Sequence, residues 1–370
     1  MRRLGVLLGV AFMAIPGTSR GLAASPYLYV CNQADASVSV IDMETDEVVR
    51  TVDLEALGFS AHASPHHIAV EPDGSYWYVS LISDGRVLKF DRHDRLVGQV
   101  EFEAPGLLAL DPTSKRLFVG RSMAAVRPPK RIGVIDREAM TIEDADVFIS
   151  RPHAIAVARD GRYAYMASLA ENRIVALDPL TEDITSDLFA ADAAEVLVQF
   201  AVSPDGYWMV AGGQISGKFL VFDLSQAPHV TLVKSIPVNT APWHPVFSPD
   251  GRFVYVGNQG ANTVTVIDTA DWSVAAVIAG EGIAEPHGAA VSADGKKLYV
   301  SSHNLKGEYV PAPRDGEGAR PRLSANAASG AKPDDGEPRG TVVVIDTESR
   351  QILKVIEVGH YASGVGSATR

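Results

Sequence analysis

The sequence predicts an all-β protein, a seven-bladed β-propeller whose blades have four strands each. A short apolar run that ends in aspartate occurs seven times along the 370 residues. Asp-Gly turns between alternating apolar runs keep step with it. Repeat units of about 40–45 residues that each hold four strands are the sequence signature of propeller blades. A chain of this length can also bury the large core that such a ring needs.

The run that ends in aspartate is the strongest repeat. Its copies end at Asp42, Asp91, Asp136, Asp178, Asp223, Asp268 and Asp346. The intervals between them are 49, 45, 42, 45, 45 and 78 residues, so the last one holds a period and an insertion. We expect these aspartates to shape turns, because aspartate bonds to backbone amides just after itself. Spread one to a blade, they are too far apart for paired acid–base chemistry.

The remaining strands follow from the same period. Residues 72–74, Pro-Asp-Gly, separate an apolar run from the aromatic run at 76–79, and residues 48–52 form an alternating run further along. Asp-Gly between alternating runs is a strong hairpin signal. Each blade is therefore predicted to contain an inner strand, an aromatic second strand, a third strand ending in Asp, and an outer strand.

The two ends of the chain predict how the ring closes. After residue 24 the chain begins directly with an aromatic second strand at 27–30, so the first blade lacks its own inner strand. Residues 363–367 lie where an inner strand should follow the seventh blade. We therefore predict that residues 25–370 form one propeller, which the C-terminal strand closes. Closure of this kind removes unpaired sheet edges.

The N-terminus predicts export. Arg2 and Arg3 precede an apolar run at 4–15, and small residues at 21–24 offer a cleavage site. This pattern predicts a secretory signal peptide over residues 1–24 and a periplasmic or secreted protein. An uncleaved anchor is the alternative, although the run is shorter than a membrane span requires. No other stretch is long and apolar enough, so we expect no membrane span.

Charge and cysteine content narrow the partners. The formal net charge is −12, which argues against nucleic acid and anionic membranes as partners. Cys31 is the single cysteine, so no intramolecular disulfide can form, and its Val-rich surroundings predict a small buried residue. We expect a monomer whose partner is a periplasmic protein or a small ligand.

An insertion interrupts the last blade. Residues 306–339 are rich in Pro, Gly, Ala and charge and lack hydrophobic periodicity, which predicts disorder. The insertion falls between the second and third strands, a connection that shares a face with the outer-to-inner crossovers. It is either a lid over the central channel or a tolerated surface insertion. Residues 122–130 form a shorter loop.

Six of the ten histidines are predicted to meet at one mouth of the channel. Five are predicted to lie just before an inner strand, and one follows the second strand of the last blade: His66, His67, His153, His244, His287 and His303. Imidazole is a common ligand of copper, zinc and iron, so the set predicts a site for copper or another transition metal. Trp243, Arg121 and Glu285 are predicted ligand contacts at the same mouth. The alternative is that the histidines are structural and bond to the backbone of a neighbouring blade.

The repeat resembles a known family. Residues 65–74 (PHHIAVEPDG), 255–258 (YVGN) and 264–268 (VTVID) are similar to segments of the YVTN β-propeller repeat, and the chain resembles the periplasmic YncE-type proteins. That superfamily includes the propeller of nitrous-oxide reductase, in which histidines at a propeller mouth hold copper, and the haem d1 domain of cytochrome cd1 nitrite reductase. The chain has neither the cysteines of a cupredoxin domain nor a C-x-x-C-H haem attachment motif.

Three functions remain open. The sequence shows no P-loop, G-x-S-x-G elbow or H-E-x-x-H motif, and no catalytic residues are predicted. We therefore expect a non-enzymatic binding or scaffold module. The first alternative is a protein that binds a metal or haem d1 in a redox or metal-handling pathway. The second is a lactonase-like hydrolase, which would need Glu, His and Arg or a divalent ion in its channel.

Overall fold

The computed structural model describes residues 27–191, 194–310 and 337–368. These residues form seven four-stranded antiparallel sheets, which confirms the predicted fold class. Nowhere in the described ranges is there a helix long and apolar enough to cross a membrane. The predicted signal peptide and residues 311–336 of the insertion lie outside the described residues.

Inner and second strands alternate along the chain. The inner strands are β4 (Pro65–Val70), β8 (Pro105–Leu110), β12 (Pro152–Val157), β16 (Leu197–Val202), β20 (Pro242–Phe247), β24 (Pro286–Val291) and β28 (Ala362–Ser367). The second strands are β1 (Tyr27–Asn32), β5 (Tyr76–Leu81), β9 (Arg116–Arg121), β13 (Ala164–Ser168), β17 (Trp208–Gly213), β21 (Phe253–Asn258) and β25 (Lys297–Ser302). Each inner strand pairs antiparallel with a second strand, as the Asp-Gly hairpins predict.

Third and outer strands complete each blade. The third strands are β2 (Ser37–Asp42), β6 (Arg86–Asp91), β10 (Arg131–Asp136), β14 (Arg173–Leu177), β18 (Lys218–Asp223), β22 (Thr263–Asp268) and β26 (Thr341–Asp346). The outer strands are β3 (Glu47–Asp53), β7 (Leu96–Glu101), β11 (Thr141–Asp146), β15 (Ile184–Leu188), β19 (Thr231–Pro237), β23 (Ser273–Ile278) and β27 (Ile352–Glu357). We number the blades 1 to 7 in the order of these second strands.

The ring closes as the sequence predicts. Strand β28 pairs with β1, so blade 1 has the order β28-β1-β2-β3 and joins the two ends of the chain. Each inner strand contacts the inner strands of both neighbouring blades, from β4 round to β28 and back to β4. The inner strands therefore surround one central channel.

The core lies between neighbouring blades. The third strands are almost wholly buried, and in β26 the side chains of Val342, Val343 and Val344 are all 0% exposed. Tyr29 of blade 1 stacks on Trp77 of blade 2 with ring centroids 4.7 Å apart, and Trp77 stacks on Phe90. Each such side chain contributes roughly 1.5–3 kcal/mol through burial. Apolar packing is thus the main interaction between adjacent blades.

The strands run in the same direction in all seven blades, so the propeller has two distinct faces. Every inner strand begins at the face that also carries the second-to-third connections and the outer-to-inner crossovers; we call this the histidine face. Strand β25 ends on this face and β26 begins on it, as predicted for the two strands that flank the insertion. The opposite face carries the third-to-outer turns. There the repeated aspartates accept hydrogen bonds from backbone amides, as expected. Asp268 Oδ1, for example, accepts from Ala270 N at 2.9 Å.

Candidate ligand site at the channel mouth

A β-bulge at the start of every inner strand positions the site. In each blade the second and third residues of the inner strand oppose a single residue of the second strand. These bulge pairs are His66–His67, Gly106–Leu107, His153–Ala154, Val198–Gln199, Trp243–His244, His287–Gly288 and Ser363–Gly364. The sequence placed the histidines just before the inner strands, and they lie inside them. Bulges re-aim side chains, and here they do so at one level in all seven blades.

The residue before each inner strand has a left-handed backbone. Ser64, Ala104, Arg151, Val196, Ala241, Glu285 and Tyr361 have φ between 44° and 58°. For a residue with a side chain this conformation costs roughly 1–2 kcal/mol, so the surrounding structure must impose it. The inner strands also pack closely, since a Cβ on Gly364 would lie 2.2 Å from the His66 carbonyl oxygen. The chain thus turns sharply into the channel wall just before each bulge.

Side chains from opposite blades meet across the channel. The His67 ring of blade 2 lies 6.0 Å from the His244 ring of blade 6. His67 Nε2 also lies 3.3 Å from the side-chain amide nitrogen of Gln199 in blade 5. Blades 5 and 6 stand across the ring from blade 2, so these contacts span the channel axis.

The rings continue as a connected cluster, which we call the histidine mouth. The His287 ring contacts His244 at 4.5 Å and His303 at 4.6 Å, and His66 lies 5.7 Å away. Trp243 packs 4.6 Å from His287, and Tyr361 stacks on His303 at 4.0 Å. The structure therefore brings together five of the six predicted histidines and the predicted Trp243. We include His153 in the histidine mouth, because it lies close enough for its charge to lower the pKa of His66 and His67.

The six imidazoles are buried and neutral at neutral pH. Each is at most 9% exposed. Burial lowers the pKa of His67 and His153 to about 4 and that of His303 to about 3. Burial first, and then the charges of neighbouring histidines, hold the pKa of His66, His244 and His287 well below the usual value. A neutral imidazole has one nitrogen without a proton, and its lone pair can bind a metal unless a hydrogen bond already occupies it.

Two histidines are fixed with their Nε2 lone pair free. His153 Nδ1 lies 2.7 Å from the carbonyl oxygen of Arg121, and His66 Nδ1 lies 3.1 Å from Gln33 Oε1. These oxygens can only accept, so Nδ1 carries the proton in both rings and Nε2 does not. The Arg121 bond also joins blade 4 to blade 3, which is the backbone bond expected of a structural histidine.

Two other histidines have the reverse tautomer. The backbone amide of Leu108 donates to His67 Nδ1 at 3.2 Å, so Nε2 carries the proton and cannot accept from the Gln199 amide nitrogen 3.3 Å away. The Gln199 carbonyl oxygen already accepts from Phe200 N at 3.1 Å, which turns its amide NH2 towards the same point. The Gln259 amide nitrogen faces His303 Nδ1 at 3.3 Å, leaving Nε2–H on that ring. The mouth thus presents N–H donors as well as lone pairs.

Five buried nitrogens at the mouth have no hydrogen-bond partner in the described part of the chain. They are His153 Nε2, His244 Nε2, His287 Nδ1, His303 Nε2 and Trp243 Nε1. An unmet buried polar group costs about 1–3 kcal/mol, so folded proteins rarely tolerate several together without a function. A water, an ion or another ligand at this end of the channel would satisfy them.

The other predicted contacts are engaged elsewhere. The Arg121 guanidinium lies 3.8 Å from the centre of the Phe102 ring and donates to the Glu103 carbonyl at 2.8 Å. Glu285 Oε2 accepts from Leu305 N at 2.7 Å, and its other oxygen lies 3.4 Å from Lys306 Nζ. Arg121 therefore serves the mouth through its carbonyl group, and Glu285 binds Leu305 and Lys306, where the insertion begins.

Sequence reasoning missed the amide side chains around the histidines. Gln33 and Gln259 occupy the same repeat position as His303, the residue directly after a second strand. Gln199 is a member of the bulge pair of blade 5. Aligning the seven repeats position by position would have found all three, because each is a polar residue at a position that faces the histidines.

The chemistry of the mouth suits a metal, but a finished coordination site is not formed. No group of three or more His, Cys, Asp or Glu side chains is arranged to hold a metal ion within residues 27–191, 194–310 and 337–368. The rings of His244, His287 and His303, whose planes meet at 63° and 34°, would have to rotate before they could share one ion. Free lone pairs and unmet nitrogens are nevertheless present in the described structure.

Comparisons with known proteins bear on the fold. The family model described as "Lactonase, 7-bladed beta-propeller" matches residues 179–275. No curated protein sequence matches the chain. The matched segment runs from the end of the third strand of blade 4 to the outer strand of blade 6, about a quarter of the chain.

Three solved structures are similar in architecture. A functionally unknown protein from Desulfotomaculum acetoxidans DSM 771 aligns with a TM-score of 0.71 at 13% identity over 93% of this chain and 99% of its own. Hydrazine synthase from Kuenenia stuttgartiensis aligns with a TM-score of 0.63 at 19% identity over 82% and 90%. The dihydro-heme d1 dehydrogenase NirN in complex with DHE aligns with a TM-score of 0.63 at 13% identity over 96% and 78%.

The chain is a seven-bladed β-propeller. At these identities the likenesses show the fold alone, and the YVTN or YncE-like family stays a prediction. The propeller fold supports many unrelated functions, so its function must be argued from the histidine mouth.

Proposed function

We propose that this propeller is a non-enzymatic binding module that holds a transition-metal ion at the histidine mouth. The observation that carries the proposal is the state of His153. Its Nδ1–H is fixed on a backbone carbonyl at 2.7 Å, and its buried Nε2 has no partner in the described structure. Metal-binding histidines usually donate their second ring N–H to an oxygen in this way, which fixes the tautomer that a metal needs.

Three further histidines can complete the ligand set. His66 has the same tautomer as His153, and His244 and His287 each have a nitrogen without a partner among the described residues. An all-nitrogen set of neutral imidazoles suits copper and zinc. His67 and His303 present N–H groups, so we assign them to a water or anion bound beside the metal. The ion would supply a positive charge that the neutral mouth itself does not have.

Metal titration tests the proposal. Protein stripped with a chelator is titrated with Cu²⁺ or Zn²⁺ by calorimetry, and metal content is measured after dialysis without an affinity tag. We expect one tight site, and at least about tenfold weaker binding when His66 and His153 are both replaced by Ala, since loss of ligands and their partners commonly costs 10–100-fold. The matched control replaces His93 and His229, two exposed histidines outside the mouth. Equal binding by both double variants would refute the proposal.

Haem d1 is a less favourable occupant. NirN, the structural neighbour, is described in complex with DHE. In this chain the rings of His67 and His244 meet across the channel at 6.0 Å, so a tetrapyrrole would have to part them. An absorption titration with a haem distinguishes the two cases, because a planar cofactor bound through histidine would give a shifted Soret band.

Lactone hydrolysis is the second candidate function, and the partial match to the lactonase model favours it. Such chemistry would use a bound divalent ion to polarise the lactone carbonyl. Glu285 and Arg121 are engaged in structural bonds, so a general acid or base would have to come from the mouth histidines. Turnover of a panel of lactones by metal-loaded protein, lost in His153→Ala, would establish it. No turnover with any of them would remove it.

We further propose that the protein is exported, on the evidence of Arg2, Arg3 and the apolar run at 4–15. A periplasmic location would expose the mouth to copper and zinc outside the reducing cytoplasm. Mass spectrometry of protein purified from its native compartment tests this. A mature N-terminus near residue 25 is the expected result, and an intact N-terminus would contradict it.

A further inference from the structure

The most exposed large apolar side chains lie in loops of opposite charge. Val126 is 86% exposed, Leu180 79% and Phe148 70%. Val126 and Phe148 lie on the histidine face, in the β9–β10 loop and the β11–β12 crossover, whereas Leu180 lies on the opposite face in the β14–β15 turn. An exposed apolar patch rimmed by charged residues marks a surface that binds other proteins.

The β9–β10 loop and the β11–β12 crossover together form a basic surface, which we define as Val126, Arg127, Lys130, Phe148 and Arg151. It is continuous, because Phe148 N donates to the Lys130 carbonyl at 3.3 Å and Arg151 donates to the Met123 carbonyl at 2.8 Å. Its three cations form no ion pair with a carboxylate among the described residues, in a chain whose net charge is −12. The nearby Arg131 is neutralised by Asp146 at 2.5 Å.

The β14–β15 turn is acidic, and we define this acidic turn as Asp178, Leu180, Glu182 and Asp183. Asp178 Oδ1 accepts from Leu180 N at 2.8 Å, and Asp183 Oδ2 accepts from Thr181 Oγ at 3.0 Å, so the turn has a fixed shape. Within the described residues none of its three carboxylates pairs with Lys or Arg. The adjacent turn carries Asp160 and Arg162, whose charges offset each other.

We infer that the basic surface binds the acidic turn of a second copy of this chain. The three cations of one copy face the three carboxylates of the other, and Leu180 is placed to cover Val126 and Phe148. The two surfaces lie on opposite faces of neighbouring blades, so the contact is head-to-tail rather than two-fold. This inference does not rest on the proposed metal site.

Other acidic turns lack this combination. The equivalent turn of blade 1 carries Glu44, Asp46 and Glu47, but Asp46 pairs with Lys297 at 2.7 Å and no large apolar side chain there is strongly exposed. Blade 1 therefore offers a matched control for charge without the apolar residue. Because the proposed contact consists of exposed charges and three apolar side chains, it should be weak and sensitive to salt.

Sedimentation velocity over a range of protein concentrations tests the inference. At about 0.01 M salt, where charges act over roughly 30 Å, we expect the weight-average sedimentation coefficient to rise with concentration. At about 1 M salt the rise should disappear, since the screening length falls to about 3 Å. A wild-type protein that stays monomeric under both conditions would overturn the inference.

Charge reversal identifies the surfaces. Replacing Arg127 and Lys130 with Glu should weaken association at least about fivefold, because two exposed pairs become repulsive. Adding Glu182→Lys and Asp183→Lys to the same chain should restore it, whereas the blade 1 control, Glu44→Lys with Glu47→Lys, should leave association unchanged. Circular dichroism confirms folding of each variant. If the four-residue swap fails to restore association, or if the blade 1 control weakens it equally, the assignment of these surfaces is wrong.

Discussion

The third strands and the inner-strand bulges of this propeller follow opposite rules. Two positions before the repeated aspartate, six third strands carry a small apolar residue: Val40, Val134, Ala176, Val221, Val266 and Val344. The bulge pairs, one level around the channel, vary between His, Trp, Gln, Leu, Val, Ala, Ser and Gly. The interface between blades is the same seven times, so the fold favours one residue type. The end of the channel, in contrast, is one site to which all seven inner strands contribute. Each strand can therefore carry a different residue at the bulge.

Acidification should destabilise the histidine mouth, because its buried histidines become protonated, and should leave the packing of the third strands unaffected. The folded-state pKa of His67 and His153 is about 4, below the ordinary value of about 6.5. The unfolded chain therefore binds more protons between these values, and the free energy of unfolding of metal-free protein falls as pH drops from about 6.5 to 4. Each unit of difference corresponds to about 1.4 kcal/mol.

Urea unfolding at a series of pH values measures this effect. A variant with His67 and His153 both replaced by Gln is the control, because it keeps hydrogen-bonding groups that do not titrate. Its stability should fall less over the same interval. Parallel curves for the two proteins would show that the mouth does not titrate as described.

A cavity in a third strand should damage the fold and spare the site. Ile345 is 0% exposed and packs with Leu298 and Val343 between blades 6 and 7. Ile345→Ala should lower the free energy of unfolding by about 2–5 kcal/mol, through lost burial and the cavity left behind. Ile345→Val is the milder comparison, at about 0.5–1.5 kcal/mol. Metal affinity of the folded variant should stay within about twofold of wild type if sites this far apart are independent.

Removing a buried nitrogen without a partner should weaken metal binding and leave stability almost unchanged. His287 Nδ1 is buried without a partner in the described structure, so His287→Leu removes a desolvated polar group and keeps apolar contact with Trp243. We expect stability to change by less than about 1 kcal/mol, in either direction, and metal affinity to fall. Thermal unfolding and calorimetry on the same sample check both. A loss as large as that of Ile345→Ala would make His287 a core residue and not a ligand.

Lys89 is the exception that sharpens the comparison, since it occupies the third-strand position that is Val or Ala in the other blades. Its ammonium group lies 4.1 Å from the centre of the Tyr76 ring and donates to the Arg137 carbonyl, joining blade 2 to blade 3. Burial lowers the pKa of Lys89. Lys89→Val should change stability by no more than about 1 kcal/mol, because the lost contacts are offset by the ordinary residue of the repeat. A loss above about 3 kcal/mol would show that blade 2 depends on the charge.

The fold could be predicted nearly completely from the sequence, and the site only in outline. Asp-Gly turns and the repeated aspartates mark strands locally, so the strand order and the closure by β28 followed from spacing. The position of the histidines could also be predicted, because the repeat period places them at one mouth of the channel. Their tautomers did not, since these depend on Leu108, Gln33 and the Arg121 carbonyl, which come from other blades. The outward turn of the Arg121 side chain onto Phe102 is equally a product of packing.

Electron paramagnetic resonance of protein loaded with one equivalent of Cu²⁺ tests the central claim most directly. If the histidine mouth binds the ion, the spectrum should show superhyperfine splitting from at least two imidazole nitrogens. That splitting should weaken in His153→Ala and stay unchanged in His229→Ala. A spectrum typical of oxygen ligands, or one that His153→Ala leaves unaltered, would contradict the assignment of the mouth as the metal site.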